Sequence, residues 1–231
     1  MTADEFSRLA AGAYGGADDH ATNTNYVVHP NKDYSDPNMT TYHHKDDASK
    51  IVIAHRGTAV GSKGGGRDLK NDLATMVGLG GKQGRMRRRM RKTERIVKET
   101  NPSELHLTGH SLGGGTVNHT IANSKTVRAK LTSAHTFNAA AHPTMSNQQK
   151  VSRKEKKRLS GKVTHHRIEN DAVSAGFLTN TPFGKVKTYE HPDKGKKKSL
   201  GSQILTGVGG FTLGGVGKKA LDAHGVGNFH P

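Results

Sequence analysis

The run Gly109-His110-Ser111-Leu112-Gly113-Gly114-Gly115 leaves the chain around it few conformations. An alternating segment, Glu104 to Thr108, precedes it, and a helix-compatible segment, Thr116 to Asn123, follows. Serine between a strand and a helix, with glycine two residues away on either side, predicts a sharp turn. A Cβ at either glycine would collide with the neighbouring strand or helix. Such a turn lifts the Ser111 hydroxyl clear of the sheet. It also lets the Leu112 amide, at the helix N-terminus, face a developing oxyanion. Glycine makes up 29 of the 231 residues, so a G-x-S-x-G pattern arises by chance in roughly one such chain in five. The order of the flanking elements must therefore carry the argument.

That order is regular. Phe6, Leu9, Ala10, Ala13 and Tyr14 have helical spacing and predict an opening amphipathic helix over Phe6 to Tyr14. Short strands are expected at Asn25 to His29 and Met39 to His43, with turns at Pro30 and Pro37. Lys50 to His55 is a β-branched run suited to a buried central strand. A Gly/Lys-rich loop, residues 59–67, follows, and then a basic helix over residues 85–98 that must end before Pro102. Its Met86, Met90, Ile96 and Val97 predict one apolar side, with a basic sector opposite. Further strands are expected at Leu131 to Ala139 and Lys162 to Ile168, separated by a second basic segment at 147–160. Strands alternating with helices predict an α/β fold, with a mostly parallel sheet flanked by helices and glycine/lysine-rich loops. The length suits a single domain over residues 1–231, in which residues 194–217 are a low-complexity Lys/Gly-rich stretch.

Lys and Arg number 36 against 19 Asp and Glu, a formal charge of +17. The charges cluster at 85–98 and 150–158, which predicts non-specific attraction to an anionic membrane surface or to nucleic acid. No aromatic residues interleave with the basic runs, and no DNA-binding motif is present. The chain has no cysteine, which excludes disulfides and thiolate chemistry. The acidic opening Met1-Thr2-Ala3-Asp4-Glu5 lacks the apolar run of a signal peptide, and no segment reads as a membrane span. A cytoplasmic or virion-associated protein is the expectation. The pairs His43-His44 and His165-His166 read as non-metal, since neighbouring strand residues face opposite sides.

Four stretches resemble the class 3, fungal-type lipases of the α/β-hydrolase superfamily, in the order that family has them. They are Ile51 to Thr58, ending in Arg-Gly-Thr; Asp68-Leu69-x-x-Asp72-Leu73; the elbow Thr108 to Gly114; and Arg167 to Val173. The resemblance implies an α/β-hydrolase fold and a serine carboxylester hydrolase with no metal or organic cofactor. It makes Ser111 the nucleophile within the elbow Gly109-His110-Ser111-Leu112-Gly113, and Asp171 the acid, ahead of Asp193 and Asp222. Thr58 and Leu112 are then the oxyanion donors. Arg56 is expected to organise the loop by pairing with Asp68 or Asp72. The order Ser, Asp, His leaves His191, His224 and His230 as candidate bases. Ala223-His224-Gly225-Val226-Gly227-Asn228-Phe229 is similar to the family's C-terminal histidine followed by an aromatic, which favours His224, with His191 the rival.

The chain departs from the family's pattern at His55, where an aromatic is usual, and at Leu69, where tryptophan is usual. The loop at 59–67, in the lid position, is not apolar. Together with the charge, this points to an anionic phospholipid or another lipid ester rather than bulk triglyceride. The alternative is a catalytically inactive basic structural or packaging protein that binds nucleic acid or anionic surfaces, such as a virion component.

Overall fold

The computed structural model describes residues 1–57, 83–140, 151–169 and 183–190. Seven strands form one sheet in the order β1-β2-β3-β4-β5-β6-β7. They are β1 (Tyr26–Val28), β2 (Met39–His44), β3 (Lys50–His55), β4 (Glu104–His110), β5 (Leu131–Phe137), β6 (Val163–Ile168) and β7 (Lys185–Tyr189). The pairs β1/β2 and β2/β3 are antiparallel, and every pair from β3 to β7 is parallel. This is the mostly parallel α/β sheet that the alternation of segments predicts, of the α/β-hydrolase-like kind that the resemblance implies.

Helix α1 (Ala3–Gly12) starts three residues earlier than its apolar spacing implies. Thr2 caps the Glu5 amide while the Glu5 carboxylate returns to the Thr2 amide, a reciprocal pair that fixes the first turn. Helix α2 (Ala17–Ala21) follows directly. The basic segment forms α3 (Gln83–Thr100), and the elbow opens into α4 (Leu112–Asn123). Two short helices, α5 (Lys125–Lys130) and α6 (Arg153–Ser160), complete the α-helices of the described residues. No helix among the described residues is long and apolar enough to cross a membrane.

Alternation along β3 explains the layers. Ile51 and Ile53 join Leu105 and Leu107 of β4, Ile96 and Val97 of α3, and Val117 and Ile121 of α4 in one core. Val52 and Ala54 point the other way, with Tyr42, towards Leu9 and Ala13. Successive strand residues thus serve opposite helical layers, which is why β3 is apolar throughout. Met86, Ile96 and Val97 of α3 are buried as predicted, and Met90 is only partly so.

Histidine replaces aliphatic residues at several of these inward positions. His55 is fully buried and shares a 3.3 Å hydrogen bond with the Thr93 hydroxyl. His165 donates to the Phe183 carbonyl and accepts from the Thr136 hydroxyl. His166, on the opposite face, lies between His135 at 2.8 Å and the Tyr189 hydroxyl at 2.7 Å. The two neighbours therefore face apart. Burial, reinforced by the Arg89 charge, pushes His55 down to about 3. Burial also takes His165 and His166 to about 4, with Lys187 contributing at His166. These imidazoles are neutral when folded, whereas the unfolded chain protonates them near pH 6.5.

Folding stability is therefore fully present above pH 6.5 and falls as pH drops towards 4. At pH 5 each of the three costs about 2 kcal/mol. Urea denaturation between pH 7.5 and 5 should show a steady fall in midpoint. Asp36 and Glu104, whose carboxylates are held below their ordinary range, start to add to the loss only nearer pH 4. A flat midpoint across pH 7.5 to 5 would contradict the assignment.

Candidate active site

The parallel ladder between β3 and β4 ends at His55 opposite Gly109. Beyond it β3 leaves the sheet, while β4 keeps one more pair, His110 with Phe137 of β5, at the carboxyl edge, the usual place for a site in an open α/β fold. Ser111 stands there with φ 56° and ψ −124°, a conformation that non-glycine residues rarely occupy. The surroundings hold it in place. Its amide donates to the Phe137 carbonyl at 3.0 Å, and its own carbonyl accepts from the Gly115 and Ala140 amides. A serine just before a helix ordinarily caps the first turn. Ser111 makes no such side-chain hydrogen bond, so its hydroxyl is not engaged in starting α4.

The glycines around it are required by space. A Cβ on Gly109 would stand 2.6 Å from the Gly113 carbonyl carbon, and one on Gly113 would stand 2.0 Å from the His55 carbonyl oxygen. The first turn of α4 is thus pressed against the end of β3. Leu112 supplies the first residue of that turn, where helix amides lack an intrahelical partner. Gly57, which leaves β3, packs on the elbow: a Cβ there would lie 3.1 Å from the Ser111 Cβ. Ser111 and Gly57 are thus brought together.

Tyr14 was not foreseen at this position, because at the end of an amphipathic helix it reads as an ordinary core residue. Its hydroxyl lies 2.9 Å from His110 Nδ1 and 3.1 Å from the Gly57 amide that donates to it. Burial pushes its pKa well above the ordinary phenol value. The Arg56 guanidinium sits over the Tyr14 ring at 5.6 Å and donates to the Pro37 carbonyl. Arg89 of α3 donates to the Arg56 carbonyl at 2.7 Å, so α3 also braces this corner.

Thr58, Asp171 and His224 lie outside the described residues, as do His191, His230, Asp193, Asp222, Asp68, Asp72 and the loop at 59–67. Among the described residues, no group of three or more His, Asp or Glu is placed to hold a metal ion.

No curated protein and no solved structure gives a significant match to the chain. A family model does, however, and it spans α1 to beyond β7, with the elbow inside it. The phospholipase-like model of the Tle-like phospholipase domain matches residues 8–199, and the chain belongs to that family.

Proposed function

We propose that this protein is a serine carboxylester hydrolase acting on phospholipid, with a preference for anionic surfaces. The observation that carries this is the Ser111 backbone, held at positive φ between β4 and α4 with its hydroxyl not used as a cap. The family is one of phospholipase-like hydrolases, which supports ester chemistry. The particular machinery is our assignment, following the arrangement implied by the class 3 lipase resemblance.

Ser111 Oγ attacks the acyl carbonyl while His224 accepts its proton. Asp171 orients the imidazole and stabilises the imidazolium. The Thr58 and Leu112 amides stabilise the tetrahedral oxyanion. His224 then returns the proton to the leaving alcohol, and water cleaves the acyl-enzyme by the reverse sequence. A fluorophosphonate probe tests the nucleophile, with Ser111 expected to label and Ser111→Ala to be silent. Labelling of both proteins alike, or of neither, would sink the assignment.

The surface preference rests on how α3 divides its charges. Arg89, Lys92 and Arg95 are tied to the segment 33–38: Lys92 pairs with Asp36 at 2.8 Å, Arg95 donates to the Asp33 carbonyl, and Arg89 donates to Asn38. Arg85, Arg87, Arg88 and Arg91 are exposed and form no ion pair with any described residue. They occupy the half of α3 beside the elbow, where Met86 reaches to within 3.7 Å of a Cβ built on Gly115. In α6, Arg158 is engaged with Glu155 and the Arg128 carbonyl. Arg153, Lys154 and Lys157 are exposed and form no ion pair with any described residue, but none of these is placed beside the elbow.

Each arginine near an anionic bilayer contributes about 1 kcal/mol. Replacing these four with glutamine should therefore weaken partition onto phosphatidylglycerol vesicles on the order of a hundredfold or more. Partition onto phosphatidylcholine should stay unchanged. Unaltered cosedimentation with both vesicle types would refute the role of α3. Equal salt-dependent loss on duplex DNA would instead favour the polyanion-binding alternative.

A further inference from the structure

Beyond the His55–Gly109 pair, β3 and β4 no longer hold each other by a ladder. The turn at Gly57 and the elbow meet through close backbone packing, a Cβ on Gly57 standing 2.7 Å from the His110 carbonyl oxygen, and through one side chain. Tyr14 bonds to both. Its oxygen accepts the Gly57 N–H at 3.1 Å and shares a 2.9 Å hydrogen bond with His110 Nδ1. Burial keeps the phenol protonated, so the bridge carries no phenolate charge. A Cβ on Gly57 would stand 2.2 Å from this hydroxyl, so the turn lies directly against it. Packing under Arg56 and against the His110 ring, whose centroid is 5.8 Å away, holds the tyrosine ring.

We propose that Tyr14 is a positioning residue for ester hydrolysis. One oxygen holds the turn at Gly57 against the elbow at His110, and with it the Ser111 hydroxyl and the Leu112 amide that the assignment above sets to work on the acyl carbonyl. The inference rests on the serine-hydrolase assignment above. A nucleophile and an oxyanion donor displaced by a fraction of an ångström lose transition-state stabilisation while leaving substrate binding nearly intact.

Tyr14→Phe keeps the ring, its packing and the Arg56 contact. It is expected to lower kcat on a p-nitrophenyl ester about 10- to 100-fold with KM within about twofold. Affinity for a trifluoromethyl ketone, which forms a tetrahedral adduct with serine, should fall by the same factor as kcat. Both constants are referred to the folded fraction measured by circular dichroism. Unchanged kcat and adduct affinity in folded Tyr14→Phe would overturn the proposal. So would a loss that disappears once the unfolded fraction is allowed for, since that marks a purely structural role. Failure of the unsubstituted protein to label at Ser111 would instead bring down the hydrolase assignment itself.

Discussion

Ser111→Ala is expected to lower kcat on phospholipid vesicles about 10⁴- to 10⁶-fold, the scale seen when an activated serine is removed. Its thermal midpoint should stay within a few degrees. Both halves follow from the same geometry. The backbone at Ser111 is fixed by three main-chain hydrogen bonds, to Phe137, Gly115 and Ala140, none of which uses the hydroxyl. Alanine at φ 56° bears the same strain as serine. A capping serine would behave differently, since losing it costs about 1 kcal/mol of stability and no chemistry. Fatty-acid release by titration and a melting curve on the same preparation separate the two cases. A stable Ser111→Ala protein that still hydrolyses phospholipid would exclude Ser111 as the nucleophile.

Gly113→Ala should be the most damaging single-methyl change in the elbow. The added carbon would stand 2.0 Å from the His55 carbonyl oxygen, 2.8 Å from the His55 carbonyl carbon and 2.9 Å from that of Arg56. All three belong to the backbone at the end of a central strand, so no side chain can swing aside. Either α4 lifts off the sheet or β3 shifts, and both break packing between Ile53, Leu107 and Val117. A loss of about 3 kcal/mol or more is expected, large enough to leave a marginal domain unfolded. Gly161→Ala, where a Cβ meets nothing within 4 Å, is the matched control and should move stability by less than about 1 kcal/mol. Urea denaturation of the pair decides. Equal stability of the two variants would mean that the elbow is not packed as described.

The sequence was most informative where residue type and backbone geometry depend on each other. β3 was legible because a strand buried on both faces must be apolar at every position, and Ile51 to Ala54 are. The elbow was legible because two glycines and a serine satisfy one steric demand. β7 was not. Its five residues are all exposed and include two lysines, so it carries no apolar signature. Only the β6 ladder defines it.

The division of α3 into bonded and unbonded cations was equally invisible, since the partners of Arg89, Lys92 and Arg95 lie 33 to 62 positions away. Arg56 was expected to pair with Asp68 or Asp72, which lie outside the described residues. Its described partners are the Pro37 carbonyl and the Tyr14 ring. The class 3 motifs led to a lipase/phospholipase family, and the family found is that of the Tle-like phospholipase domain. Short motifs around a shared elbow report the chemistry of the turn more sharply than the branch of the fold that carries it.

The strand order has a consequence for how the chain is made. From β1 to β7 each strand pairs with the one synthesised just before it, and no described strand is inserted between two earlier ones. A sheet of this kind grows from one edge only. During synthesis each emerging strand meets a finished template and closes a single crossover, so loop entropy is met in instalments. The newest edge is always the sticky one, and it passes outward until it reaches β7. On β7, the last of the described strands, the exposed Lys185 and Lys187 put charge on the edge and discourage another chain from extending it.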